Sequence, residues 1–135
     1  MRHHHSLALC LAMASATAAL AETPAAIQER IARDARQENP AFVAFSPERG
    51  RQFFNATHGR EWSCSTCHTA DPAAAGRHAT TGKAIAALAP AANAERFTSP
   101  AKVDKWFRRN CNDVAGRACT AQEKGDVLAW LLAAR

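Results

Sequence analysis

Three features of the sequence predict an all-α fold. Apolar residues recur at helical spacing in four segments, and three of these segments open with a Ser or Thr at the position of a helix N-cap. Almost no segment alternates apolar and polar residues as a half-buried strand does, and no internal repeat is visible. A Cys-x-x-Cys-His motif at residues 64–68 directly follows the second segment. We therefore expect one small helical domain built around that motif.

The first 21 residues have the pattern of a secretory signal peptide. Arg2 supplies a positive charge, residues 7–20 form a short apolar run, and small residues precede an expected cleavage after Ala21. The run is too short to span a bilayer as a helix. The sequence therefore predicts export to the periplasm and a single mature domain, residues 22–135.

The first half of this domain carries two predicted helices. Residues 24–35 have two isoleucines four positions apart on one face, and an Asn-Pro pair stops the helix after them. A Ser-Pro pair at 46–47 provides the N-cap and first residue of a second helix, which runs to about Thr57. Its core-facing residues are Gly50, Phe53 and Phe54. Residues 70–94 are rich in Ala, Gly, Thr and Pro, which predicts mostly loop.

Two further helices are predicted near the C-terminus. A second Ser-Pro pair at 99–100 opens a helix that ends at residues 108–110. Its apolar stripe is Val103, Trp106 and Phe107. Thr120 and Glu123 form a capping box that opens the last helix. Its inward-facing residues are Val127, Leu128, Leu131 and Leu132, with Trp130 on the flank.

The motif Cys64-Ser65-Thr66-Cys67-His68 is the attachment signature of a c-type haem. Two thiols form thioethers with the porphyrin, and the adjoining histidine becomes the proximal iron ligand. A thioredoxin-like redox pair would be expected within a βαβ pattern, and a zinc site would need a second pair of ligands at suitable spacing. Neither is visible in the sequence, so one covalent haem c is the expected cofactor.

The remaining mature cysteines, Cys111 and Cys119, lie eight residues apart. In an oxidising compartment such a pair is expected to form a disulfide. Removal of Arg2 lowers the formal net charge from +5 to about +4, which favours an acidic partner surface. The basic residues are not clustered or interleaved with aromatics as in nucleic-acid-binding proteins, so no nucleic-acid partner is expected.

The mature chain has no methionine to serve as a distal haem ligand. The sequence contains two, Met1 and Met13, and both lie in the predicted signal peptide. Side chains that could replace methionine are His58, His78, Lys83, Lys102, Lys105 and Asn110. Water or an empty position would also be compatible with the sequence. Asn110 could equally be an asparagine that stops its helix in the left-handed conformation.

Two resemblances narrow these alternatives. A helix bearing glycine and aromatics, a haem motif after it and a closing amphipathic helix resemble the class I cytochrome c fold. In that fold the first and last of these helices cross closely, and Gly50 would permit the approach. The run from Lys102 through Asn110-Cys111-Asn112, with Cys119, residues 123–130 and Thr81-Gly82-Lys83, resembles the sphaeroides haem protein family. That similarity covers roughly residue 46 to the C-terminus.

The second resemblance implies a haem ligated by His68 and, in the oxidised state, by the side-chain amide of Asn110, with Asn112 as a nearby competitor. Because an amide is a weak ligand that ferrous iron holds less well than ferric iron, reduction is expected to release Asn110. The reduced haem is then expected to bind O2, NO or another small diatomic ligand, a property known in the family resembled. We expect a monomer. The resemblance also implies electron donors, a dihaem cytochrome c and a membrane cytochrome b. Oxygen reduction or nitric oxide oxidation would make the protein an oxidoreductase. The alternative hypothesis is a simple electron-transfer cytochrome with a His or Lys sixth ligand.

Overall fold

A computed structural model describes residues 22–135, so the predicted signal peptide and its cleavage site lie outside the described residues. The helices are α1 (Pro24–Glu38), α2 (Pro47–Asn55), α3 (Cys64–His68), α4 (Pro100–Ala115) and α5 (Ala121–Ala133). An antiparallel pair of two-residue strands, β1 (Gly76–Arg77) and β2 (Ala84–Ile85), interrupts a long connection that is otherwise loop. The all-α prediction is therefore confirmed. Across the described part of the chain, no helix is long and apolar enough to cross a membrane.

The predicted helix starts are confirmed by their hydrogen bonds. Ser46 Oγ accepts from the backbone of Arg49 at 3.2 Å, and Ser99 Oγ accepts from that of Lys102 at 3.4 Å, each with proline as the first helical residue. The capping box that opens α5 is present in both directions. Helix α2 ends at Asn55, slightly before the predicted end.

The prediction that α4 ends at Asn110 is wrong. Helix α4 continues to Ala115 and stops at Gly116, which has a φ of 69°. The reason is an apolar stripe that extends through Cys111 and Val114, both buried. Asn110 is therefore an internal helical residue, and its interpretation as a left-handed helix stop is excluded.

The prediction that Trp106 belongs to the apolar stripe of α4 is also wrong. It is 48% exposed, whereas Val103 is buried and Phe107 is half-buried. Because successive helical residues are about 100° apart, the stripe that runs from Val103 through Phe107 to Cys111 leaves Trp106 at its edge. The consequence is a large aromatic side chain on the surface of α4.

Helices α2 and α5 cross at a glycine. A Cβ atom on Gly50 would lie 2.8 Å from Val127 N and closer still to the Asp126 carbonyl. The predicted close approach is therefore confirmed. The buried Asp126 carboxylate on α5 also joins the two helices by hydrogen bonds. It accepts from Ser46 N at 2.7 Å and from Arg49 Nε at 2.7 Å. This crossing holds the end of α2, and hence the start of the haem motif, against the last helix.

The core has two apolar clusters. One joins α1 to α5 and α4; its buried members are Ile27, Ile31, Ala35, Val103, Ala121 and Leu128. The other joins α2 to α5; its buried members are Phe54, Val127 and Leu131. The second cluster is the one that borders the haem motif.

Candidate functional site

The haem motif forms a short, capped helix. Ser63, 6% exposed, accepts a hydrogen bond from Thr66 N at 3.2 Å and donates its own N–H to Thr66 Oγ1 at 3.0 Å. This capping box orders the residues between the two cysteines. Thr69 then ends the helix with a φ of 63°. The five residues of the motif thus have one defined conformation.

Helical spacing brings the three predicted haem-binding side chains to one side of α3. Cys64 and Cys67 are one turn apart, as are Cys64 and His68. Both thiols are half-buried and neither is in a disulfide. Burial raises the pKa of the Cys64 thiol to about 11. Burial, and then the charge of Arg96, lower the pKa of His68, which favours the neutral ring required for metal ligation.

The connection after α3 folds back against the motif. A Cβ atom on Gly76 would lie 2.9 Å from the His68 Cα and closer to the Cys67 carbonyl, so only glycine fits there without rearrangement. Ala79 N donates to Cys67 Sγ at 3.3 Å. The small β1–β2 pair therefore lies directly on the backbone of the second cysteine.

Apolar side chains extend from the motif towards α4. Cys64 packs on the second cluster together with half-buried large side chains from four parts of the chain. These are Phe53, Leu88, Phe97, Phe107 and Trp130. In addition, the rings of Phe54 and His68 lie 6.2 Å apart. Apolar surface that stays accessible beside two free thiols and a neutral imidazole fits a covalently attached macrocycle.

Each of the two histidines considered as distal ligands uses one ring nitrogen in hydrogen bonds. His58 Nε2 donates to the Phe53 carbonyl at 2.8 Å, and the His58 and Phe53 rings lie in tilted contact with centroids 4.1 Å apart. His78 Nδ1 accepts from the backbones of Thr80 and Thr81 at 3.2 and 3.3 Å. In the neutral ring this places the His78 proton on Nε2, so Nε2 has no lone pair for iron unless those bonds break. The candidate lysines, Lys83, Lys102 and Lys105, are exposed.

The two asparagines differ in their surroundings. Asn110 is half-buried and follows the half-buried Phe107 by three residues on α4, whereas Asn112 is exposed. None of the side-chain hydrogen bonds found among residues 22–135 uses the amide of Asn110. The predicted disulfide between Cys111 and Cys119 is present, with a Cα–Cα distance of 5.6 Å and both residues buried. It ties α4, next to Asn110, to the start of α5.

Comparison with known proteins identifies the family. The family described as a domain of unknown function (DUF1924) matches residues 40–131. The cytochrome c-type protein SHP of Cereibacter sphaeroides is 54% identical over 90 residues, which make up 64% of this chain and 69% of that protein. The chain belongs to the sphaeroides haem protein family. Cytochrome c'' of Methylophilus methylotrophus is 41% identical over 102 residues, 73% of this chain and 71% of that protein.

Solved structures of both relatives share the fold. Oxidized cytochrome c'' gives a TM-score of 0.74 at 36% identity, over 83% of this chain and 94% of that chain. Oxidized SHP, an oxygen-binding cytochrome c, gives a TM-score of 0.73 at 44% identity, over 82% of this chain and 96% of that chain. A solution structure of cytochrome c'' concerned with haem-ligand detachment gives a TM-score of 0.72 at 37% identity, over 82% of this chain and 92% of that chain. The predicted cytochrome c-like fold is therefore confirmed.

Members of the sphaeroides haem protein family are c-type cytochromes, so the cofactor is covalently bound haem c. The residues present fit that group, because the two free thiols, the neutral histidine and the accessible apolar surface lie together. Among residues 22–135, no group of three or more His, Cys, Asp or Glu side chains could hold a metal ion.

Sequence reasoning missed several residues of this site. Leu88 lies in the stretch 70–94 that was expected to be mostly loop, and Phe97 lies shortly after it, yet both reach the second cluster. Arg96 donates to the carbonyls of Ala86 and Ala87 at 2.6 and 2.8 Å, and its charge acts on His68. The large apolar residues of the Ala-rich connection were the available signal, because an exposed loop would not need them.

Proposed function

We propose that this protein is an exported, periplasmic cytochrome whose weak distal ligand leaves on reduction, so that the reduced protein binds O2, NO or another small diatomic molecule. Cys64 and Cys67 attach the haem, His68 is the proximal ligand and Asn110 is the distal ligand of the oxidised state. Bound haem c supplies an iron that accepts one electron and offers a position for a small ligand. Two relatives support the proposal: SHP is an oxygen-binding cytochrome c, and haem-ligand detachment is the subject of a cytochrome c'' structure.

The observation that carries the proposal is the apolar cluster shared by the motif and α4. Cys64 and Phe107 both pack on this cluster. Asn110 lies three residues after Phe107, so both side chains leave nearly the same side of α4. An amide that is half-buried on that side, with no protein partner among the described residues, is suited to a ligand in the pocket.

The properties of the amide explain why reduction opens the site. A carboxamide oxygen is a hard, neutral donor, which binds the less charged and softer ferrous iron more weakly than ferric iron. Once released, the Asn110 side chain still carries an NH2 group that can donate a hydrogen bond to a molecule bound in the pocket. The Cys111–Cys119 disulfide joins this part of α4 to the segment just before α5.

A partner cytochrome is the proposed electron source, either a dihaem cytochrome c or a membrane cytochrome b. Two activities are compatible with this scheme, binding alone and turnover. Consumption of NO or O2 with a supplied electron donor would make the protein an oxidoreductase. Stoichiometric binding without consumption would make it a gas-binding protein.

Visible spectroscopy of the holoprotein tests the proposal. We expect dithionite-reduced protein to be high-spin and to shift on addition of carbon monoxide. The Asn110→Ala variant should lose the low-spin ferric spectrum while the reduced form still binds carbon monoxide. The matched Asn112→Ala variant should leave both spectra unchanged. A reduced wild-type protein that stays low-spin and unreactive would overturn the proposal and favour the simple electron carrier.

The identity of a competing ligand can be read from the same spectra. If His78 ligated the iron of an electron carrier, His78→Ala would abolish the low-spin spectrum and Asn110→Ala would not. The hydrogen bonds to His78 Nδ1 argue for the opposite result.

A further inference from the structure

The exposed face of α4 combines an aromatic ring with cations. Trp106 is 48% exposed, and among residues 22–135 it is the one exposed large aromatic side chain. Lys105 Nζ lies 5.7 Å from its ring centroid and Arg109 Cζ lies 5.8 Å from it. Both cations are within the range of a cation–π interaction, so they also hold the ring in place.

Lys102, one turn before Trp106, extends this face, and we call Lys102, Lys105, Trp106 and Arg109 the Trp106 patch. All four side chains are exposed. The nearby Asp104 does not neutralise the patch, because its carboxylate pairs with Arg30 at 2.9 Å. The patch therefore presents three positive charges around one apolar ring.

The Trp106 patch lies next to the proposed distal ligand. Trp106 and Asn110 are four residues apart on α4, so they are neighbours on the helix surface. A protein bound to this patch would be one helical turn from the residue proposed to respond to reduction. That proximity is what an electron-entry site requires.

We propose that the Trp106 patch is the docking surface for an electron-donor protein that has an acidic surface around its own redox centre. Carboxylates of the donor would pair with the lysines and the arginine, which mainly accelerates encounter. The Trp106 ring would be the central anchor, since tryptophan and arginine are the residues that most often dominate binding energy at interfaces. The inference rests on the proposed function only in requiring that the electron comes from another protein.

A membrane surface is the other binding partner that a Trp with flanking cations can favour. Interfacial helices insert a continuous apolar face into the lipid, however, and the apolar face of α4 is buried in the protein core. One exposed ring is too little apolar area for that mode of binding. We therefore assign the patch to a protein partner.

Stopped-flow reduction of the ferric holoprotein by flavodoxin hydroquinone, an acidic one-electron donor, tests the assignment. We expect the wild-type rate to fall as ionic strength rises. Lys105→Glu with Arg109→Glu should slow reduction about tenfold at low ionic strength and remove most of the salt dependence. Trp106→Ala should slow reduction without changing the salt dependence.

The matched control is Arg33→Glu with Arg36→Glu on α1, which changes the net charge equally at two exposed arginines. We expect less than about a twofold effect from it, because these charges lie outside the patch. Reduction by neutral lumiflavin semiquinone should be the same in every variant, which shows that the haem itself is unaltered. Equal slowing in the control pair would overturn the inference, and so would altered lumiflavin rates in the patch variants. Binding of the wild-type protein to anionic vesicles that is lost in Trp106→Ala would also overturn it, because the partner would then be a membrane.

Failure of the proposed function is distinguishable from failure of this inference. Carbon monoxide binding to dithionite-reduced protein needs no donor protein, and flavodoxin reduction needs no gas. A protein that does not bind carbon monoxide but shows the expected flavodoxin rates would retain the docking surface.

Discussion

Replacement of Gly50 by alanine tests how closely α2 and α5 approach. In an ordinary helix interior this change stabilises a protein by up to about 1 kcal/mol, because alanine has the higher helix propensity. Here the new methyl group would lie 2.8 Å from Val127 N and closer to the Asp126 carbonyl, which is less than the separation that carbon atoms tolerate. We therefore expect the substitution to destabilise the protein, the opposite of its effect on an isolated helix.

The magnitude follows from which atoms must move. Overpacking of a core typically costs about 1–3 kcal/mol, and the upper part of that range applies where the opposing atoms are backbone rather than a side chain that can rotate. After the propensity gain is subtracted, a net loss of about 2 kcal/mol remains. For a domain of this size, that corresponds to a fall in Tm of about 10 °C.

Gly125→Ala provides the matched comparison. Gly125 is also buried in a helix, but its added methyl group would meet the ring of Phe45, a side chain that can move. Guanidinium unfolding of both holoproteins, followed by far-ultraviolet circular dichroism, should place Gly50→Ala below Gly125→Ala and both below wild type. A Gly50→Ala protein as stable as wild type would refute the close helix crossing.

Two other predictions concern polar groups of α5. Asp126→Asn should lower the free energy of unfolding by about 2 kcal/mol. The buried carboxylate accepts hydrogen bonds from Arg49 and Ser46, and only one acceptor oxygen would remain in the amide. Urea unfolding at pH 7 measures this loss, and an unchanged unfolding midpoint would contradict the prediction. Hydrogen bonds from Arg117 lower the pKa of Glu123 in the folded protein. The contribution of the ionised Glu123 to stability is therefore complete above the unfolded glutamate pKa of about 4.3 and is lost as pH falls through the lower folded pKa. Glu123→Gln should therefore reduce the loss of stability between about pH 5 and pH 3, and a curve parallel to wild type would show that the pair is not involved.

Local chemistry explains why much of the fold could be predicted. Helix starts depend on a cap and the next three residues, so Ser46, Ser99 and the Thr120 capping box were recognisable in isolation. The haem motif is equally local, since the attachment chemistry needs its cysteines and histidine at fixed spacing. The glycine at the helix crossing was recognisable from the resemblance to the class I cytochrome c fold.

Errors occurred where packing determines the outcome. Helix α4 was ended too early because asparagine at position 110 is compatible with a left-handed helix stop, whereas the buried Cys111 and Val114 extend the helix through tertiary contacts. The same long-range packing decides which side of α4 faces the core. It therefore decides that Trp106 is exposed.

The sequence by itself determined the cofactor, its attachment residues, the absence of methionine from residues 22–135 and the cysteines available for a disulfide, because each depends only on residue identity and spacing. Only the tertiary structure decided that Asn110 lies within a helix and half-buried, that His58 and His78 each use one ring nitrogen in hydrogen bonds, and that two cations lie beside an exposed tryptophan. Several of these contacts join residues close in the chain, but which side of a helix is buried, and which backbone group a side chain reaches, depends on how the elements pack together.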